Sequence, residues 1–78
     1  MRQKELKVLF TFSTTTAAMA MENLCRQENL PGRLIPIPRS ITADCGMAWS
    51  APAAERRRLE HAAEDHGLAL AGVYELLL

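Results

Sequence analysis

The sequence predicts an α+β fold in which two helices cover one face of a four-stranded antiparallel sheet. Segments with the period of a strand and segments with the period of a helix follow one another in the order β-α-β-β-α-β. Proline or glycine lies at several boundaries between these segments, which keeps the segments short. A third observation is a pair of prolines, Pro36 and Pro38, inside one predicted strand. Together these features favour a small two-layer sandwich.

The first half of the chain predicts a strand followed by a helix. Residues 7–12 are β-forming, with alternate large apolar side chains on one face. Ser13 or Thr14 then supplies a helix N-cap, because its hydroxyl can accept from free backbone amides. Apolar residues at helical spacing indicate a helix from Thr15 to about Asn29, which Pro31-Gly32 ends.

Residues 33–38 form a second extended run that contains both prolines. Pro36 and Pro38 have the same parity, so their missing N–H groups would point to the same side of a strand. A central strand could not lose two ladder hydrogen bonds on one side, whereas an edge strand could. This run is therefore predicted to be an edge strand.

The second half of the chain predicts two more strands with a helix between them. Residues 47–50 form a short third strand, and Pro52 suits the first turn of the second helix. That helix is predicted to run to about His66, with Gly67 as its C-cap. Residues 69–76 form a final, richly apolar strand.

The commonest compact arrangement of this order is the ferredoxin-like βαββαβ sandwich, in which the second and fourth strands lie at the edges. That position agrees with the proline argument. Residues 1–78 are too few for more than one small domain, and a domain of this size buries only about 60–65% of its unfolded surface.

Charge and composition restrict the class of partner. Nine basic residues balance nine acidic ones, which argues against nucleic acid or an anionic membrane surface as the main partner. No apolar run approaches the roughly 18 residues of a transmembrane helix. Near-zero net charge and a thin core favour a weak homodimer through the apolar 76–78 edge or the open sheet face.

Cysteine usage indicates a reducing, cytoplasmic environment. The two cysteines, Cys25 and Cys45, are too few for a disulfide framework. The basic start of the chain superficially resembles a secretory signal, but five hydroxyl-bearing residues interrupt residues 11–16. Cysteine and histidine also lack the close spacing of a zinc site, so neither a metal nor another cofactor is predicted.

Reactive chemistry is most plausible at Cys45-Gly46, at the mouth of a loop between the second and third strands. In the predicted topology this loop lies at the same end of the sheet as the amides of residues 13–15. The end of the second helix, with His66, is expected there too. Cys25 lies late in the first helix, toward the opposite end, and reads as a buried small hydrophobe.

Each candidate residue has a functional and a structural interpretation. Cys45 is either a nucleophilic thiol or an unreactive loop cysteine. Arg39 either holds an anion beside the thiol or is simply exposed. His66 either activates the thiol, as a base or as a charged partner, or interacts with the helix dipole. Gly46 would let a partner backbone approach closely. Ser40 and Thr42 would brace the loop through hydrogen bonds from side chain to backbone.

The chain resembles the small bacterial family described as putative Se/S carrier protein-like, from about residue 6 to residue 76. The most specific part of the resemblance is Pro38-Arg39 followed by Cys45-Gly46. The other matching segments are Val8-Leu9-Phe10-Thr11-Phe12-Ser13, Arg33-Leu34-Ile35-Pro36-Ile37, Met47-Ala48 and Gly72-Val73-Tyr74.

This resemblance implies a cytoplasmic bacterial protein that carries sulfur or selenium on the matching cysteine, Cys45. Its partners would be sulfur or selenium donor and acceptor proteins. The alternative is a non-catalytic binding or assembly module built on the same sheet, since fold alone does not decide function. An autonomous enzyme is less favoured than either, because no acid–base pair or catalytic triad is recognisable.

Overall fold

The computed structural model describes residues 5–41 and 46–78. The four strands form one sheet in the order β2-β3-β1-β4, and every neighbouring pair is antiparallel. The elements in chain order are β1 (Leu6–Thr11), α1 (Thr15–Gln27), β2 (Arg33–Pro36), β3 (Met47–Pro52), a 3₁₀ turn (Ala53–Glu55), α2 (Arg56–Asp65) and β4 (Gly72–Leu77). The predicted ferredoxin-like arrangement is confirmed, with β2 and β4 at the edges.

The proline argument for the edge strand is also confirmed. Ile37 donates its backbone N–H to the carbonyl of Gly46 at 3.0 Å, which continues the β2–β3 ladder by one pair. Alternate residues of an antiparallel strand bond to the same neighbour, so the backbone nitrogen of Pro36 faces away from β3. The hydrogen bond that proline cannot make is therefore on the solvent side.

Helix α1 has well-defined ends. The Thr14 hydroxyl accepts from the backbone N–H of Ala17 at 3.1 Å, as expected of an N-cap. At the other end Asn29 takes a φ of 55°, and Leu30 donates its N–H to the carbonyl of Cys25 at 2.8 Å. This is the hydrogen bond of a Schellman motif, so the helix stops before Pro31-Gly32 rather than at it.

The face of the sheet that the helices cover holds most of the core. Large side chains from β1 and β3 meet the inner residues of both helices there. The buried residues of this helix-face core are Val8, Phe10, Phe12, Ala18, Met21, Cys25, Trp49, Ala51, Leu59 and Ala63. Burying aromatic and aliphatic area of this kind is the main stabilising contribution available to a small domain.

Just before β2, the backbone of Gly32 packs tightly against the side chain of Trp49. Its φ is +123°, and a β-carbon there would overlap the indole ring of Trp49 and the carbonyl of Ser50. The Trp49 indole N–H donates to the carbonyl of Pro31 at 3.2 Å, which satisfies its buried donor. The junction between α1 and β2 thus packs directly on β3.

The face of the sheet away from the helices carries a second, smaller cluster. Leu9, Ile41 and Ala48 are buried there, although Ile41 belongs to the segment that follows β2. Ile35, Ile37 and Leu76 pack around them. The segment after β2 therefore folds back over the sheet, and we name these six residues the loop-face cluster.

Two predicted boundaries were wrong. Pro52 is the last residue of β3, paired with Lys7, and helix α2 starts only at Arg56 after the 3₁₀ turn. The last strand starts at Gly72 rather than at residue 69, because the connection before it packs Leu68 and Leu70 against the helix-face core. Gly67, with a φ of 67°, follows the end of α2 as predicted.

Candidate functional site

The candidate site lies in the connection between β2 and β3. Residues 42–45 of this connection, which include Thr42 and Cys45, lie outside the described residues. The predictions for these two side chains therefore stay predictions. The residues on both sides of the segment are described, and they show how the connection is attached to the sheet.

Backbone hydrogen bonds hold both flanks of the segment. The pairing of Ile37 with Gly46 closes the hairpin at its base. Ile41 donates its N–H to the carbonyl of Pro38 at 3.0 Å, which forms a tight turn over residues 38–41. The Ile41 side chain is 6% exposed and packs against Leu9 and Ala48. Residues 42–45 thus start and end at fixed points of the fold.

Gly46 combines a left-handed backbone with open surroundings. Its φ is +75°, a conformation that a residue with a side chain adopts only at a cost. No heavy atom among the described residues, apart from its chain neighbours, lies within 4 Å of where a β-carbon would be. The glycine is therefore needed for its conformation, and the space where its side chain would stand is open.

The start of α1 lies at the same end of the sheet as Gly46. The register pairs Thr11, at the end of β1, with Ala48 of β3, two residues after Gly46. Thr14 caps the helix three residues after Thr11. The expected proximity of this loop to the beginning of α1 thus follows from the observed register.

Arg39 and Ser40 are both exposed in the turn before Ile41. The Arg39 guanidinium makes no ion pair with any residue in the described part of the chain. The described part of the loop is braced by the backbone turn and by the buried side chain of Ile41. Ser40 itself makes no side-chain hydrogen bond to a described residue.

The expected convergence of His66 with the helix-start amides was wrong. The Nε2 atom of His66 lies 3.6 Å from a carboxylate oxygen of Glu28, just beyond the C-terminal end of α1. Thr14 stands at the other end of this 13-residue helix, about 20 Å away along its axis. Helix α2 starts beside β4, where Arg56 contacts Glu75. Its last turn lies beside the C-terminal end of α1, where His66 meets Glu28.

Cys25 is shielded, as predicted. It is a free thiol on the inner face of α1 and is only 2% exposed. Burial raises its pKa from 9.0 to about 11, because the charged thiolate is poorly solvated in the core. At neutral pH this sulfur is therefore protonated and out of reach of reagents.

Sequence reasoning missed Ile41 as a determinant of the site. It is the only large aliphatic residue between Pro38 and Gly46, in a stretch otherwise polar or small. An isolated large apolar residue inside a polar loop is a usable signal, since its burial can anchor the loop. The structure shows that Ile41 serves as that anchor on the loop-face cluster.

The charged groups of α2 form local ion pairs. Arg56 lies 3.3 Å from Glu60 and also contacts Glu75, and Arg58 lies 3.0 Å from Glu55. The arginine run at residues 56–58 therefore belongs to an ion-paired, partly exposed face of the helix. Within residues 5–41 and 46–78, no cluster of side chains suits a metal ion, and no helix has the length and apolarity needed to cross a membrane.

Comparison with known proteins identifies one family. A family model described as "Putative Se/S carrier protein-like" matches residues 7–75 of the 78-residue chain. The match covers both helices, β2, β3 and the connection with Cys45 and Gly46, and it leaves out only the first residue of β1 and the last two of β4. Searches of curated proteins and of solved structures give no match.

Proposed function

Since the chain belongs to the family described as "Putative Se/S carrier protein-like", we propose that it carries a sulfur or selenium atom on the thiol of Cys45. The observation that carries this proposal is the burial of Cys25. The chain has two cysteines, and the thiol of Cys25 is both covered and held protonated. A carrier that uses a thiol must therefore use Cys45.

Loading is a transfer of sulfane sulfur between two thiols. The Cys45 thiolate attacks the terminal sulfur of a persulfide on a donor protein. A new S–S bond forms at Cys45 while the S–S bond within the donor breaks, and the donor cysteine leaves as a thiolate. Cys45 then carries a persulfide and the donor a thiol, so no external oxidant or reductant is needed. A donor selenopersulfide reacts in the same way and leaves a selenopersulfide on Cys45.

The described flanks of the loop suit this exchange. The open space at Gly46 allows the donor backbone to come close to Cys45. Arg39 supplies a positive charge that favours the anionic thiolate and persulfide forms. The buried side chain of Ile41 holds one described end of the loop in place, which lowers the entropy lost when the donor docks.

The remaining site residues have supporting roles. Ser40 and Thr42 would hydrogen-bond the loop backbone or the transferred atom. His66 was expected to bind substrate with them, but its position beside Glu28 separates it from the start of α1. His66 therefore has no role at the thiol in this proposal. Replacement of His66 by Gln should leave the thiol's reactivity unchanged.

The carrier acts as a co-substrate rather than as an autonomous enzyme. It receives its atom from a donor protein and gives it to an acceptor, each step being a thiol exchange. A reducing cytoplasm is the compartment in which an unpaired thiol stays available for this cycle.

Intact-mass measurement after incubation with a persulfide donor or a selenopersulfide donor tests the proposal. Wild type and Cys25→Ser should each gain the mass of one sulfur or selenium atom, whereas Cys45→Ser should gain none. Dithiothreitol should remove the added mass. An equal gain in Cys45→Ser would contradict the assignment to Cys45. No gain in wild type would contradict the carrier function and favour a non-catalytic binding module.

Alkylation kinetics test the difference between the two thiols directly. At neutral pH iodoacetamide should label Cys45 at least about 100-fold faster than Cys25, because the buried thiol has a raised pKa and almost no thiolate. In denaturant the two rates should become similar. Faster labelling of Cys25, or equally slow labelling of both cysteines in the folded protein, would remove the structural support for Cys45.

A further inference from the structure

The two edges of the sheet are protected very differently. Edge strand β2 ends in Pro36 and is followed by Pro38, which discourages pairing with another chain. The β4 edge has no such protection. The described part of the molecule has five exposed large apolar side chains, and four of them lie at the β4 edge. Tyr74 and Leu77 belong to β4, Leu78 follows it, and Leu6 lies on the neighbouring end of β1. The fifth is Met19.

The backbone of β4 also has hydrogen-bonding groups that point away from the sheet. Glu5 and Leu78 exchange two backbone hydrogen bonds of 3.0 Å, which fixes which residues of β4 bond to β1. Alternate residues follow the same direction, so the N–H and C=O groups of Val73, Glu75 and Leu77 face outward. Such a row of backbone groups is a template for another strand.

One charge stands in the middle of this edge, and it is compensated. Glu75 is the only charged residue of β4. Its carboxylate contacts the guanidinium of Arg56, and the hydrogen bond between them raises the pKa of Arg56. An isolated charge would oppose edge-to-edge pairing, but a charge paired within its own subunit opposes it much less.

We infer that β4 pairs antiparallel with β4 of a second copy, around a two-fold axis at Glu75. In this register Val73 lies opposite Leu77 of the second copy, and Tyr74 lies opposite Leu76. All three outward-facing residues then exchange backbone hydrogen bonds across the axis. Apolar residues face apolar residues on both sides of the central pair, and the two Arg56–Glu75 pairs meet at the axis. The strand is therefore complementary to itself.

The size of the contact makes the dimer weak. A single pair of six-residue strands buries less than the surface of a standard protein–protein interface. The resulting eight-stranded sheet leaves the β2–β3 connection with Cys45 at the far edge of each subunit. Dimerisation and thiol exchange would therefore use separate surfaces.

Sedimentation with a matched pair of variants tests the contact. Wild type should approach dimer mass at high micromolar concentration. Leu77→Lys should weaken association at least about tenfold, because each dimer loses two apolar contacts and gains two charges on the edge. Met19→Lys replaces a similarly exposed residue, 55% against 63%, and should associate like wild type. A monomeric wild type, or a Leu77→Lys variant that associates as tightly, would overturn the inference.

Amide hydrogen exchange tests the register. On raising the protein concentration, the amides of Val73, Glu75 and Leu77 should become protected. The outward-facing amide of Leu34 on β2 is the control and should exchange at a constant rate. Concentration-dependent protection of Leu34 in place of the three β4 amides would show that the wrong edge had been chosen.

Discussion

The two faces of the sheet are covered in different ways. On one face, two helices bury aromatic and aliphatic residues centred on Phe10 and Trp49. On the other, the six-residue loop-face cluster is closed by Ile41, which comes from the connection that leads to Cys45. The large core supplies most of the stability, whereas the small one positions a loop. A segment that rests on few buried contacts can open without unfolding the domain, which suits the exchange proposed for Cys45.

The largest expected effect is on the helix face. Phe10→Ala should lower the free energy of unfolding by about 3–5 kcal/mol, because a fully buried ring is replaced by a cavity. For a small domain this is a large share of the total stability. Urea unfolding followed by circular dichroism measures it. Phe10→Leu, which keeps most of the volume, is the control and should lose clearly less.

The loop face should respond less and more locally. Ile41→Ala should cost about 2 kcal/mol, at the low end for a buried isoleucine, since its site lies at the surface of a small cluster and can relax. Cleavage by trypsin after Arg39 should accelerate more than cleavage after Arg57. Ile41→Val is the matched control. If cleavage at both sites rises in the same proportion, Ile41 belongs to the global core and the contrast between the faces fails.

The third expected effect is a pH dependence of the helix face, which appears only in alkaline solution. Cys25 has a pKa of about 11 in the folded state against 9.0 for the free side chain. Between these values the unfolded chain loses its proton first, so stability is present below pH 9 and is lost as pH rises toward 11. The loss should be about 2 kcal/mol.

Comparison with Cys25→Ala separates this loss from the titration of lysine and tyrosine. Denaturant unfolding at pH 8 to 11 should show a smaller fall in the free energy of unfolding for the variant than for wild type. Parallel curves for the two proteins would mean that Cys25 is solvated when the protein is folded. The proposal for Cys45, which depends on the burial of Cys25, would then lose support.

Local rules predicted the fold well. Alternation of apolar residues placed β1, a threonine cap placed the start of α1, and two prolines placed β2 at an edge. Each of these features depends only on residues that are close in sequence, so each can be predicted from the sequence alone. The resemblance to the carrier family, carried by Pro38-Arg39 and Cys45-Gly46, is confirmed by the family match over residues 7–75.

Long-range geometry was not readable in the same way. The position of His66 depends on the angle at which α2 crosses the sheet. The spacing of apolar residues along a helix does not determine that angle, so the sequence could not predict where His66 lies. Burial of Ile41 depends on the turn at residues 38–41 folding back onto Leu9. Pro52 fits both the end of a strand and the start of a helix. The pairing of β3 with Lys7 decides between them, and that partner is distant in sequence.

The packing of Gly32 on Trp49 also limits how the sequence can vary. A side chain at position 32 meets three obstacles at once: a φ of +123°, the indole ring of Trp49 and the backbone carbonyl of Ser50. Shrinking the ring would relieve only the overlap with the indole, because the Ser50 carbonyl and the backbone conformation would still exclude other residues. In a library with every position randomised, position 32 should therefore tolerate only glycine, even in clones that have already lost the tryptophan.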